Sequence, residues 1–157
     1  MHDHTIEALP GSYLLVLESV DHQQIEVGCL GSLQLRPGFY LYVGSAFGPG
    51  GVRARVSHHA RVAERCRWHI DYLRKVCRLN EIWCSYDSIR REREWVGILE
   101  ATSRLTIPMT GFGASDHPGK SHLFYCATIP SFAAFSRRAG KQKGELIAPL
   151  HKFLIGL

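Results

Sequence analysis

The chain has 157 residues, 45% of them hydrophobic and 21% charged, which excludes a disordered tail, a fibre and a repeat array. Lys and Arg outnumber Asp and Glu by 19 to 14, a formal charge of +5 that favours a polyanionic partner without selecting one. No apolar run approaches the ~20 residues of a membrane span, and no positive stretch precedes an apolar core in the first twenty residues, so neither a membrane segment nor a signal peptide is expected.

The Pro10-Gly11 breaker is followed by an apolar run over residues 13–17, expected as a buried strand. Residues 24–27 and 32–35 alternate polar and apolar around Gly28 and Gly31 and predict a hairpin. After the turn at Arg36-Pro37-Gly38, residues 39–44 are rich in β-formers and predict a second long strand. A glycine-rich loop over 45–51 leads to a helix carrying Val52, Val56 and Ala60 at i, i+4 and i+8. A short helix is expected at 68–73 and a strand at 80–86. Asp87 or Ser88 can cap a helix reaching about Leu105, with Trp95, Ile98, Leu99 and Thr102 as its stripe. A loop over 111–120, a strand over 123–129 ended by Pro130, and a partly helical basic extension over 130–157, broken at Gly140 and Gly144, complete the chain. The fold class expected is α+β, in a single domain spanning 1–157. Five Cys, an odd number with no Cys-x-x-Cys, argue against a zinc ribbon and a disulfide framework; the thiols are expected reduced and mostly buried, in a cytoplasmic protein.

Tyr13 and Tyr42 fall on two strands that can be neighbours, each close to a glycine. Arg55 and His59 stand at i and i+4 and share a helix face, whereas His58 is expected to point elsewhere. Two phenols, a guanidinium and an imidazole suit phosphodiester chemistry: Arg stabilises charge on a phosphoryl group, and a phenol or imidazole orients or deprotonates water. Glu92, one turn before Trp95, lies near the apolar stripe of its helix, while Glu94 points about 100° away. An inward carboxylate is costly unless paired or bound to a cation, and Mg²⁺ held through one or two carboxylates is usual in phosphate chemistry.

Gly11-Ser12-Tyr13, Tyr42-Val43-Gly44, Arg55, His59 and a downstream Glu together resemble the GIY-YIG nuclease module. More closely, the chain resembles the GIY-YIG-like domain of unknown function number 123, whose members occur in bacteria and archaea, sometimes fused to an endonuclease III-type glycosylase. The resemblance covers roughly 9–129 and is carried by Gly11-Ser12-Tyr13-Leu14-Leu15, residues 38–51 and 68–73, Gly111-Phe112-Gly113, Ser115-Asp116 and residues 121–125. It implies a small, mainly antiparallel central sheet of three central strands flanked by helices, with an extra hairpin filling the 28 residues between the two tyrosines. It implies Tyr13 as general base or water-orienter, Tyr42 as hydrogen-bonding water or phosphate, and Arg55 as the stabiliser of a phosphorane-like transition state. His59 would be the polar residue one turn on, and Glu92, in Glu92-Arg93-Glu94-Trp95-Val96, the ligand of one divalent ion, Mg²⁺ or Mn²⁺. Ser45, Arg53, His69, Asp71, Ser115, Asp116, Ser121 and His122 are the expected substrate contacts. Where the family has two cysteines after Ser-Asp, this chain has His117 and Gly119, which argues against a thiol-based role there.

The implied function is a metal-dependent endonuclease acting on DNA, in repair or on branched substrates, in the cytoplasm of a prokaryotic cell and functionally linked to endonuclease III-type glycosylases. The alternatives are a catalytically weak or inactive nucleic-acid-binding module of the same fold and a protein-interaction domain. Each site residue also has a plain structural role open to it: core packing for Tyr13 and Tyr42, a solvated helix face for Arg55 and His59, and an ion pair with arginine for Glu92. His69 and Asp71 could pair as an oriented base or simply hold the short helix. Asp116, Ser121 and His122 could form a triad fragment, but no nucleophile elbow accompanies them. His117 and His122 have weak metal-ligand spacing, and the 44–51 loop lacks the Gly-Lys-Ser/Thr of a phosphate loop.

Overall fold

The computed structural model describes residues 5–114, 117–141 and 147–155. In chain order the elements are β1 (Gly11–Ser19), β2 (Gln23–Glu26), β3 (Ser32–Leu35), β4 (Gly38–Ala46), α1 (Gly51–Ala60), α2 (His69–Arg74), β5 (Arg78–Ser85), α3 (Glu92–Glu100), β6 (Leu123–Cys126), α4 (Phe132–Ala139) and β7 (Leu150–Leu154). Five strands form one antiparallel sheet in the order β6-β4-β1-β5-β7. The three central strands are thus β4, β1 and β5, with one further strand on each edge. β2 and β3 form a separate two-stranded hairpin between the two tyrosine-bearing strands.

β1 explains the architecture. It is apolar at almost every position, which suits a strand covered on both faces. Successive side chains point to opposite sides, so Tyr13, Leu15 and Leu17 enter one core and Leu14 and Val16 the other. The first core is closed by Val52 and Val56 of α1, Ile70 and Leu73 of α2, and Val27, Leu33 and Leu35 of the hairpin region. The second is closed by Trp95, Val96 and Leu99 of α3 and by Phe135 and Ala139 of α4, against Trp83 of β5 and Phe124 of β6.

Three expectations need correction. The helix expected to run from Asp87 or Ser88 to about Leu105 is confined to Glu92–Glu100. Asp87 does not cap it: its carboxylate accepts the backbone N–H of Ile89 and pairs with the Arg91 guanidinium at 3.0 Å, stabilising a turn ahead of the helix. The strand expected over 123–129 ends at Cys126. In the C-terminal extension α4 stops at Ala139, before Gly140, but residues 150–154 form a strand rather than helix. The free edge of β5 explains that strand: Leu150 pairs with Ser85 and Leu154 with Glu81, and Lys152 reaches the nearly buried Glu81 carboxylate at 3.7 Å.

Candidate functional site

In the β1–β4 register Tyr13 stands opposite Gly44, and Leu15 opposite Tyr42, so the two tyrosines share a face one position apart diagonally. Gly44 is required there: a Cβ would come within 2.4 Å of the Tyr13 ring, which lies across the β4 backbone. β4 turns into α1 through Gly50 and Gly51, both with positive φ (83° and 59°), a conformation that favours glycine. Val52 and Val56 then anchor α1 on the sheet, and the same face carries His59 to the tyrosines.

His59 is 1% exposed, and its Nε2 lies 2.8 Å from the Tyr13 hydroxyl. Its ring meets Tyr42 edge-on at 6.2 Å. Arg55, one turn earlier, lies near enough to the Tyr13 phenol to act on it electrostatically and rests over the Trp68 ring, Cζ 4.6 Å from the centroid. Burial pushes the Tyr13 phenol well above its ordinary value, with Tyr42 and Glu92 adding to the rise and Arg55 opposing it. Burial raises Tyr42 as well, helped by the charge of Glu92. Burial, followed by neighbouring His58, pushes His59 down to about 3, so its imidazole is neutral at physiological pH.

Glu92 opens α3 on the other side of the sheet. β6 pairs with β4 only from Phe39 to Tyr42, so the end of β4 that carries Ser45 lies beyond that ladder. There the Glu92 carboxylate forms an ion pair with His122, whose Nδ1 is 2.8 Å away, and lies beside Ser45. The same Nδ1 lies 3.2 Å from the carbonyl of Val43, and with two acceptor oxygens facing it that nitrogen carries the shared proton. Burial alone would raise the Glu92 carboxyl; the bonds from His122 and Ser45 hold it below the ordinary carboxylate value. Its side chain keeps 26% exposure, and its charge acts on both phenols.

Tyr13, Tyr42, Arg55 and His59 therefore meet at one place, with Glu92, Ser45 and His122 grouped at the neighbouring end of β4. Other expected residues are engaged elsewhere. Arg53 donates from Nε to the Ile6 carbonyl at 2.7 Å and ties down the N-terminal segment. The Ser121 hydroxyl bonds the backbone N–H and carbonyl of Leu123. His69 does not pair with Asp71: its Nδ1 accepts the Gly113 N–H at 2.8 Å, and its ring packs on Phe112. Ser115 and Asp116 lie outside the described residues.

Asp71 turns back instead over the start of α2. One carboxylate oxygen accepts the N–H groups of Arg67 (2.7 Å) and Trp68 (2.9 Å), and the other lies 3.0 Å from His58 Nε2. Burial opposes its charge, but those three bonds win and hold it below its ordinary value. His58, expected to point away, thus faces the site from behind His59, with its ring 4.8 Å from Trp68. The spacing of one helix could not reveal this, because the partner that turns His58 inward belongs to the next helix.

A family model described as a domain of unknown function, DUF123, matches residues 12–145. No curated protein and no solved structure matches the chain.

Proposed function

The chain belongs to the DUF123 family, a domain of unknown function, and we propose that it is a divalent-metal-dependent endonuclease of GIY-YIG type that hydrolyses phosphodiester bonds in DNA. One observation carries this reading: Tyr13, Tyr42, Arg55 and His59, from two strands and one helix, converge with the Glu92 carboxylate within electrostatic reach. A packing role alone explains a buried tyrosine, but not two phenols sharing an arginine, a neutral histidine and an ionised carboxylate.

Both phenols stay protonated at neutral pH, so neither is a ready-made base. Their role is to hold a water in line with the scissile phosphorus, with the neutral His59 ring fixing the Tyr13 hydroxyl. Arg55, whose charge acts on the Tyr13 phenol, would stabilise the phosphoryl oxygens as they gain charge in the transition state. The donor chemistry at Glu92 fits Mg²⁺ or Mn²⁺, because the carboxylate is held ionised and stays partly exposed, and such ions are held by one or two carboxylates plus waters and substrate phosphate. Bound there, the ion would stabilise the negative charge of the leaving oxygen. Ser45 and His122 would orient that carboxylate.

The second reading, a nucleic-acid-binding module without efficient catalysis, has one observation in its favour: Glu92 is already satisfied by His122 and Ser45. Cleavage of labelled duplex, single-stranded, flap and junction DNA, with Mg²⁺ or Mn²⁺ and with EDTA, separates the two. Cleavage by the wild type is expected to stop with EDTA and to fall about 10²–10³-fold in Arg55→Ala and Glu92→Gln. Equal cleavage by wild type and variants rejects the site. Binding without cleavage on every substrate replaces the first reading by the second.

A further inference from the structure

We propose that His58, His59 and Asp71 form a second cation site, for a nitrogen-preferring ion of the Zn²⁺ class, lying behind His59 and apart from Glu92. Each of the three residues offers one ligand atom, and the three atoms lie within 4.8 Å of one another. Two imidazoles and one carboxylate are a set that zinc accepts, with a water completing four-coordination, whereas Mg²⁺ prefers oxygen.

An independent observation points to a ligand. His59 is 1% exposed and Tyr13 occupies its Nε2, yet its Nδ1 is buried without a hydrogen-bond partner among the described residues. A buried, unsatisfied imidazole nitrogen is costly, and a cation at this position removes the cost. The supporting shell is built as well. The Asp71 oxygen not facing His58 is fixed by two backbone N–H groups, and the far nitrogen of His59 is fixed by Tyr13, which is how ligands are oriented around a metal. Of the three, His58 lines a cleft of ≈ 240 Å³ along the 48–51 loop, together with Arg55, Arg67 and Trp68, while His59 and Asp71 are buried behind it. Those arginines oppose a cation, so affinity depends on the Asp71 charge and on direct coordination by nitrogen rather than on the general field.

The ion would also select one tautomer. With Nδ1 coordinated, the His59 ring proton is confined to Nε2, which then donates to the Tyr13 oxygen and leaves the phenol's own proton free to turn toward another acceptor. Only this consequence rests on the nuclease reading; the cation site itself does not.

The test uses Co²⁺ as the optical probe and Zn²⁺ as the competitor, with the full chain and no nucleic acid. The wild type is expected to bind Co²⁺ with the strong visible absorption of a four-coordinate ion and to lose that absorption on addition of Zn²⁺. His58→Ala, at a side chain 31% exposed and tolerant of replacement, is expected to lower the affinity read from that absorption about tenfold or more, while Glu26→Gln, at an exposed carboxylate of the β2–β3 hairpin, leaves it unchanged. Circular dichroism confirms that each variant is folded. Absence of Co²⁺ binding by the wild type overturns the site. So does a four-coordinate absorption unchanged in His58→Ala, one lost in Glu92→Gln, or a thiolate charge-transfer band that assigns the ion to cysteine. Loss of DNA cleavage with intact Co²⁺ binding would reject the nuclease alone.

Discussion

His59 binds its environment as a neutral ring, and that has a cost in acid. In the unfolded chain its pKa is about 6.5 and in the folded chain about 3, so between these values the unfolded state holds the extra proton. Stability therefore falls as pH drops below 6.5, by about 2 kcal/mol at pH 5 from this residue. His69, also lowered by burial, adds to the same limb with the same sign. Asp71 and Glu92 are held below ordinary carboxylate values, so their contributions are lost only at lower pH, through the carboxylate range. Urea unfolding of wild type and His59→Gln at pH 7 and pH 5 checks this: most of the pH dependence in that interval is expected to vanish in the variant, and an unchanged difference would mean that His59 is not the group responsible. The spacing of Arg55 and His59 made their shared face legible from sequence, and the periodicity around Trp95 made Glu92 stand out. His58 was not legible, because Asp71 and Trp68 act on it across a loop whose path no periodicity encodes. Arg53 and Ser121 were legible only as polar residues near the right segments; their actual bonds are to backbone groups that the fold brings close.

At the scale of elements, the site depends on a close approach between strands. Tyr13 crosses β4 only because Gly44 has no side chain. In Gly44→Ala, whose backbone conformation accepts alanine, the new methyl must displace the Tyr13 ring. The expected result is a protein that retains its far-ultraviolet spectrum, with a lowered melting temperature, and loses most of the DNA cleavage proposed for the wild type. Wild-type activity in this variant would show that the Tyr13 position is not critical. β1, β4, α1 and the hairpin were readable because their patterns are long or bracketed by glycine. The ends of α3 were not: Asp87 looks like a cap but serves Ile89 and Arg91. β7 has too short an apolar pattern to announce itself, and its strand conformation comes from the partner edge of β5. Long-range pairing of this kind overrides local preference.

The whole molecule carries +5, and Arg55, Arg67, Trp68 and His58 line one cleft beside the tyrosines. If this face tracks a phosphate backbone, DNA affinity measured from low to moderate salt falls linearly on a log–log plot, by about 0.9 per phosphate contacted. Arg67→Ala should weaken binding on all sequences and reduce that slope by about 1; an unchanged slope would place the backbone elsewhere. The described residues form two apolar clusters on opposite faces of the sheet, and β1 is its centre, flanked by β4 and β5 and covered on both faces. Its amides are therefore expected to be the last to exchange in native-state hydrogen exchange, with the helical layers opening earlier. Tyr13 is thus mounted on the slowest-opening strand, while Arg55 and His59 ride one helical layer and Glu92 the other. A partial opening of either layer would dismantle the constellation while the sheet persists, so loss of function on warming can run ahead of global unfolding.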